Sequence, residues 1–107
     1  MPKPASKKEQ RWEYDCNLTF NGNQITKFTI TDYFLKHKKH GISRELIIKF
    51  VKKLDNKKIK PLDDYPGSRK VFLWERIPYE NKKYRLVFWF KDGTNDHLWI
   101  RNCHPQD

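Results

Sequence analysis

The first apolar pattern in the chain repeats every two residues. In WEYDCNLTF, residues 12–20, apolar or aromatic side chains occupy alternate positions and polar side chains lie between them. This period matches a β-strand with one buried face, since successive side chains of a strand point to opposite sides of the sheet. Asn21 and Gly22 tolerate positive φ, so the next run, QITKFTIT, is expected to fold back as an N-terminal β-hairpin through a turn of two or three residues.

Two helices are predicted after the hairpin. A short one covers DYFLKHKKH, residues 32–40, and Gly41 would end it. A longer one covers RELIIKFVKKLDNKK, residues 44–58, with Ser43 as N-cap and apolar residues at the spacing of one buried stripe.

Three strand-like runs complete the chain: KVFLWERI, KYRLVFWF and HLWIRNC. Short turn segments separate them, which predicts an antiparallel meander. The fold class expected is therefore α+β, with an antiparallel sheet, two helices packed on one face and the N-terminal β-hairpin. Residues 1–11 are predicted to be a disordered basic tail, and residues 12–107 a single domain.

The net charge indicates the class of partner. The chain has 23 Lys and Arg against 13 Asp and Glu, a formal net charge of +10. Such a surface attracts polyanions, and nucleic acid is the first candidate. Neither a spanning segment nor a signal peptide is apparent, so we expect a cytoplasmic protein without a membrane partner. Cys16 and Cys103 lack zinc-ligand spacing, and we predict neither metal nor cofactor.

The last two strand-like runs are apolar but contain the basic residues Arg85, Arg101 and His104. In YRLVFWF, Arg85 shares a face with Trp89, and we expect that face to be open if the helices cover the other. The register between the last two strands decides which residue lies next to Arg85. If Phe90 pairs with Leu98, Arg85 and Arg101 share a face, whereas a slip of one residue brings Asn102 and His104 to Arg85.

An open face of cations and rings suits single-stranded RNA, because cations hold the phosphates and rings stack on unpaired bases. The residues predicted to bind nucleic acid are Arg101, Trp89, Trp99, Lys70 and Lys83. The alternative is that Trp89 and Trp99 pack under the N-terminal hairpin as a second core. His97, at the start of the last strand, is expected to be solvated.

Several motifs carry a family resemblance. They are Pro61-Leu62 with Gly67, WERI at 74–77, YRLVF at 84–88 and IRNCH at 100–104, in that order. This order resembles the C-terminal half of the RelE/YoeB/ParE-like toxins of bacterial toxin–antitoxin pairs, over about residues 26–104. The chain departs from that pattern in its N-terminal hairpin and in its longer loop before YRLVF.

The resemblance implies a RelE-like fold and a function. Such toxins are ribosome-dependent messenger-RNA endonucleases or, in one branch, gyrase poisons, and an antitoxin restrains them. The nuclease branch implies catalytic roles for Arg85, His104 and Arg76. The chemistry agrees, because arginine stabilises a phosphate and histidine moves protons near neutral pH. Glu75 is a candidate base, but on a regular strand it would face away from Arg76.

We therefore expect an endoribonuclease that cleaves messenger RNA, with RNA, the ribosome and an acidic antitoxin as partners. Two alternatives remain open at this point. One is a non-catalytic RNA- or DNA-binding module that uses the same basic face, and the other is an interaction domain for an acidic protein. The oligomeric state is not predicted.

Overall fold

A computed structural model describes residues 10–35, 41–62 and 70–106 of the chain. Within these ranges lie one α-helix and five strands: β1 Arg11–Phe20, β2 Asn23–Thr31, α1 Arg44–Lys52, β3 Phe72–Tyr79, β4 Lys82–Phe90 and β5 His97–Gln106. Strands hold 55% of the described residues and helical turns 15%, so the described part is mostly sheet. It contains no helix with the length and apolar character needed to cross a membrane.

The N-terminal hairpin is confirmed. β1 pairs antiparallel with β2, and the last pair, Phe20 with Asn23, leaves a turn of two residues. Asn21 and Gly22 in that turn have φ of 51° and 78°. Positive φ at both central positions gives the turn a twist that matches the twist of the two strands, which explains why Asn-Gly stands here. The predicted meander of β3, β4 and β5 is also antiparallel, as expected.

The predicted fully antiparallel sheet is wrong. The strand order is β1-β2-β5-β4-β3, and β2 runs parallel to β5. The hairpin and the meander each form by local pairing, and this parallel contact joins them into one mixed sheet. Phe28 pairs with Leu98 and Ile30 with Ile100 across the junction, so the contact buries apolar side chains. Sequence patterns within each half do not contain this information.

The expectation of two helices packed on the sheet is also wrong. Only residues 32–35 of the first predicted helix form a helical turn, of the 3-10 type, and residues 36–40 lie outside the described residues. The second helix begins after its predicted cap, where the Ser43 side chain accepts a hydrogen bond from the N–H of Leu46. It ends at Lys52, six residues before the predicted end at residue 58.

The early end of α1 has a tertiary cause. Asn56 has a φ of 65°, and its N–H donates to the carbonyl of Thr19 on β1 at 2.6 Å. The Asn21 side chain bonds both the carbonyl and the N–H of Ile59, at 2.9 and 2.8 Å. These bonds hold the chain after α1 against the edge of the hairpin, where it cannot continue as a helix.

The core lies between α1 and one face of the sheet. Phe50 of α1 is fully buried and contacts two rings at the end of the meander, Tyr79 at 6.0 Å and Tyr84 at 5.5 Å between ring centroids. The largest fully buried side chains are Phe20, Phe28, Phe50, Phe88, Ile25, Ile30, Ile42, Ile47, Leu54, Ile77, Leu86 and Leu98. All five strands and α1 are therefore represented in or against a single core.

A buried polar pair lies on the opposite face of the sheet. His97 is 7% exposed, so the expectation that it is solvated is wrong. Its Nε2 lies 2.7 Å from Oγ1 of Thr29, which is 3% exposed. Burial, followed by the positive charge of Lys91, lowers the pKa of His97 below its ordinary value of 6.5. The folded protein therefore favours the neutral form of the His97 imidazole.

Replacing Phe50 with alanine tests the importance of α1 for the sheet. We expect Phe50→Ala to lower the free energy of unfolding by about 3–5 kcal/mol, because the cavity left beneath α1 adds to the lost burial. Ile48→Ala, at a partly buried position of the same helix, is the control and should cost less. Urea unfolding followed by circular dichroism measures both, and equal losses would contradict this account of the core.

The His97 pair predicts a pH dependence of stability. Because the folded pKa is lowered, the unfolded chain binds more protons just below pH 6.5, and stability is lost as the pH falls through the folded value. Between about pH 7.5 and pH 5.5, we expect the unfolding midpoint to fall more in the wild type than in His97→Gln. Parallel pH profiles for the two proteins would show that His97 is not responsible.

Candidate functional site

The face of the sheet away from α1 presents a row of polar side chains on β4 and β5. Here we call it the open face. Tyr84, Leu86 and Phe88 of β4 are buried on the α1 side. The residues that alternate with them therefore point to the open face, as do their partners on β5. From one end, these residues are Lys83 with Gln106, Arg85 with His104, Val87 with Asn102, and Trp89 with Trp99.

An extra residue in β5 decides this arrangement. Phe90 pairs with Leu98 and Phe88 with Ile100, but Val87 pairs with Asn102, so Arg101 has no partner of its own on β4. Both registers that the sequence left open therefore occur in the same pair of strands: Phe90 pairs with Leu98 before the bulge, and Arg85 pairs with His104 after it. Beyond it, side-chain orientation is reversed, which places His104 on the open face opposite Arg85.

The same bulge sends Cys103 into the core. Cys103 is completely buried, and burial raises the pKa of its thiol to about 12. It is therefore a protonated core residue at neutral pH. Cys16 and Cys103 are both free thiols.

A second bulge lies on the other side of Arg85. Trp74 pairs with Leu86 and Ile77 with Tyr84, so Glu75 and Arg76 together face Arg85 on β4. Arg76 has a φ of 57°, the positive value that absorbs the additional residue. Glu75 continues the alternation of β3 onto the open face, beside Arg85. Both strands next to β4 thus carry one extra residue near this arginine.

Glu75, Arg85 and Gln106 form a hydrogen-bonded cluster. Nη2 of Arg85 donates to Oε2 of Glu75 at 2.7 Å, and Nε2 of Gln106 donates to the same oxygen at 2.9 Å. The amide oxygen of Gln106 accepts from the N–H of Arg76 at 2.8 Å, which holds the bulge in β3. These donors, first Gln106 and then Arg85, lower the pKa of Glu75, so it is a carboxylate at neutral pH.

The cluster is accessible from solvent. The side chains of Arg85 and Glu75 are 32% and 45% exposed. Nε of Arg85 is buried, and it has no hydrogen-bond partner among the described residues. His104 is half-buried, and its Nδ1 lies 3.3 Å from the carbonyl oxygen of Pro105. The structure therefore places His104 opposite Arg85 and Glu75 in a hydrogen bond with Arg85, while Arg76 is an exposed residue at the bulge itself.

The two predicted tryptophans lie farther along the same face. Trp89 and Trp99 are directly paired and half-buried, and the guanidinium of Arg11 lies 5.0 Å from the ring centroid of Trp99. The hairpin strands extend the sheet beside them and are not layered over them. The alternative of a second core under the hairpin is therefore wrong.

The remaining predicted binding residues are dispersed. Arg101 lies over the ring of Tyr33, with its guanidinium carbon 4.0 Å from the ring centroid. Lys83 is exposed and adjoins the cluster, since it pairs with Gln106. Lys70 is exposed too, but it lies before β3 and outside the sheet. Only Lys83 of these three lies directly beside the Arg85 cluster.

Sequence reasoning missed three features of this site. It placed Glu75 and Arg76 on opposite surfaces because it assumed a regular strand. It gave no role to Gln106, which depends on the bulge in β5, or to Tyr33, which belongs to a distant segment. A bulge in which two residues of β3 face one residue of β4 cannot be inferred from WERI alone. No pattern in the sequence therefore indicates these contacts.

A separate cleft of about 420 Å³ lies on the α1 side of the hairpin. Its lining includes Tyr14, Cys16, Phe28, Ile48 and Lys52, none of which belongs to the open face. No group of three or more His, Cys, Asp or Glu side chains within residues 10–35, 41–62 and 70–106 is placed to hold a metal ion.

Comparisons of the chain with family models, with curated proteins and with solved structures find no match. The resemblance to the RelE/YoeB/ParE-like toxins stays a prediction that rests on the sequence motifs.

The role of Gln106 is tested by the titration of Glu75. In Gln106→Met, the pKa of Glu75 should rise toward its ordinary value of 4.5, because the main hydrogen bond to the carboxylate is lost. Carbon-detected NMR of the side-chain carboxyl measures this pKa. Gln24→Met, which removes a glutamine on β2, should leave it unchanged. An unchanged Glu75 titration in Gln106→Met would show that the bond is not formed in solution.

Proposed function

We propose that this protein is an endoribonuclease that cleaves messenger RNA by attack of the RNA's own 2′-hydroxyl. The observation that supports the proposal is the position of Arg85 on an open face, between the Glu75 carboxylate and the His104 imidazole. A proton acceptor, a cation and a proton donor in that order are the groups that this reaction requires.

The reaction assigns one role to each residue. Glu75, a carboxylate at neutral pH, accepts the proton of the 2′-hydroxyl as that oxygen forms a bond to phosphorus. Arg85 stabilises the negative charge on the phosphoryl oxygens. The bond from phosphorus to the 5′-oxygen breaks, and protonated His104 donates its proton to that oxygen. The products are a 2′,3′-cyclic phosphate and a 5′-hydroxyl, and each proton has a defined donor and acceptor.

The charge of the chain supports an RNA substrate. A net charge of +10 favours association with a polyanion, and Lys83, Arg101 and Arg11 lie on or beside the open face. Trp89 and Trp99 lie on that face, and aromatic rings are the groups on which unpaired bases stack. As part of the same proposal, the protein acts in the cytoplasm on ribosome-bound messenger RNA and is restrained by an acidic antitoxin, as the toxin resemblance implies.

Substitutions in the cluster test the proposed reaction. Glu75→Gln and His104→Gln should each slow RNA cleavage about 10²- to 10⁴-fold, because each removes a proton-transfer group. Arg85→Gln should slow it about 10²- to 10³-fold through loss of charge stabilisation. Single-turnover cleavage of a labelled messenger RNA, free and on ribosomes, measures the rates, and end analysis identifies the cyclic phosphate.

The control removes a positive charge elsewhere. Lys52→Gln lies on α1, on the other side of the sheet, and its cleavage rate should stay within about two-fold of wild type at saturating RNA. If wild type binds RNA with a steep salt dependence but forms no product, the protein is a binding module and the catalytic proposal fails. Product formation that survives Arg85→Gln and His104→Gln would refute the assigned roles.

A further inference from the structure

We propose that Tyr33 and Arg101 form the subsite for the nucleotide on the 3′ side of the cleaved bond. RNA would then cross the open face from β3 toward β2 in the 5′ to 3′ direction. This inference rests on the proposed function and deepens it, since it assigns a direction to the RNA strand and a side chain to one of its bases.

The direction follows from the order of the three reacting groups. Glu75 lies on β3, Arg85 on β4 and His104 on β5, and these strands are neighbours in the sheet. The 2′-oxygen that attacks belongs to the nucleotide on the 5′ side, and the 5′-oxygen that leaves belongs to the nucleotide on the 3′ side. The attacking and leaving oxygens lie roughly in line through phosphorus. The 3′ nucleotide must therefore lie on the β5 side of Arg85.

Beyond β5 on that side is the helical turn that follows β2, and Tyr33 lies in this turn. The hydroxyl of Thr31 is 3.2 Å from the carbonyl oxygen of Ile100 and 3.1 Å from that of Arg101, which attaches the β5 bulge to β2. Thr31 is 1% exposed, so this attachment is a buried part of the sheet. Tyr33 follows two residues later. Since β2 and β5 run parallel, Tyr33 lies beside the stretch that leads from Arg101 to His104.

Tyr33 and Arg101 form a surface suited to a nucleotide. The guanidinium carbon of Arg101 is 4.0 Å from the centroid of the Tyr33 ring, and both residues are half-buried. A ring stacked with a guanidinium offers a flat surface to a base and a positive charge to a phosphate. Their positions next to the leaving side of the reaction distinguish them from the other aromatic residues of the open face.

The tryptophans lie in a different direction. Trp89 is four positions along β4 from Arg85, about 13 Å at the usual rise per strand residue, and Trp99 is its partner on β5. The path from Glu75 through Arg85 to His104 crosses the strands, whereas the path to Trp89 and Trp99 follows them. The base of the nucleotide that carries the leaving oxygen therefore meets Tyr33 before it can reach either tryptophan.

DNA strands that contain a single ribonucleotide test this subsite, because only the bond after that ribonucleotide can be cleaved. Each of the four ribonucleotides is placed in the same deoxynucleotide sequence. One set is intact, a second lacks the base immediately 3′ of the cleaved bond, and a third carries an abasic ribonucleotide, which lacks the base immediately 5′ of the cleaved bond. Single-turnover rates are measured for wild type, Tyr33→Leu, Tyr33→Phe and the control Trp99→Leu, with strands free and ribosome-bound.

In wild type, loss of the 3′ base should slow cleavage about 5- to 150-fold, the range expected for one stacked base. Tyr33→Leu should cleave the intact strand slower by a similar factor and show no further loss when the 3′ base is absent. Tyr33→Phe keeps the ring and should retain the wild-type discrimination. Trp99→Leu should retain it too, since Trp99 lies away from the leaving nucleotide.

Three results would overturn the inference, and each is distinct. If the effects of Tyr33→Leu and of the missing 3′ base multiply, Tyr33 does not contact that base and acts only on folding or general binding. If Tyr33→Leu instead cancels the effect of the missing 5′ base, the RNA runs in the opposite direction. If wild type cleaves none of the strands under either condition, the proposed function fails, and the subsite with it.

Discussion

A shift of one residue in β5 determines which side chains meet at Arg85. Without the extra residue at Arg101, the register that pairs Phe90 with Leu98 would continue unchanged and place Cys103 opposite Arg85. His104 would then point toward α1, where a polar ring would need a buried partner. With the shift, the fully buried Cys103 fills the core and His104 joins the open face. The composition of the core and the chemistry of the site thus depend on the same irregularity.

The parallel contact between β2 and β5 has a similar double effect. It makes β5 the central strand, because β2 pairs with the edge of the meander that β5 would otherwise leave unpaired. The hairpin thereby adds two strands to the sheet. The hairpin therefore adds Arg11 and Thr29 to the open face instead of burying the tryptophans beneath it. It also brings the turn after β2 beside the bulge in β5, where Thr31 holds two carbonyl oxygens of that strand. The contact between Tyr33 and Arg101 depends on this junction.

What could be predicted from the sequence was local. Alternating side chains and Asn21-Gly22 were enough for the hairpin, because its pairing involves neighbouring residues. Ser43 indicated where α1 begins for the same reason. The end of α1 depends instead on a hydrogen bond from Asn56 to Thr19, and the parallel junction depends on distant segments. At the site, Arg85 and His104 were identified as residues, but their pairing across β4 and β5 requires a bulge. Glu75 lies beside Arg85 because of the second bulge, in which Glu75 and Arg76 together face Arg85, and a regular strand would not contain that bulge.

Under the proposed function, the ion pair between Arg85 and Glu75 is a resting contact that the phosphate of the RNA replaces. Both side chains are substantially exposed, and such pairs stabilise a fold only weakly. A pair this weak can position the guanidinium without competing strongly against a substrate, whose phosphate offers Arg85 shorter, charge-assisted hydrogen bonds. A fully buried pair would hold the arginine too firmly, because separating buried charges is costly. In the proposed reaction, Gln106 has a separate role. It would keep the carboxylate of Glu75 in place after Arg85 turns toward the phosphate, so that the proton acceptor retains a hydrogen-bond donor.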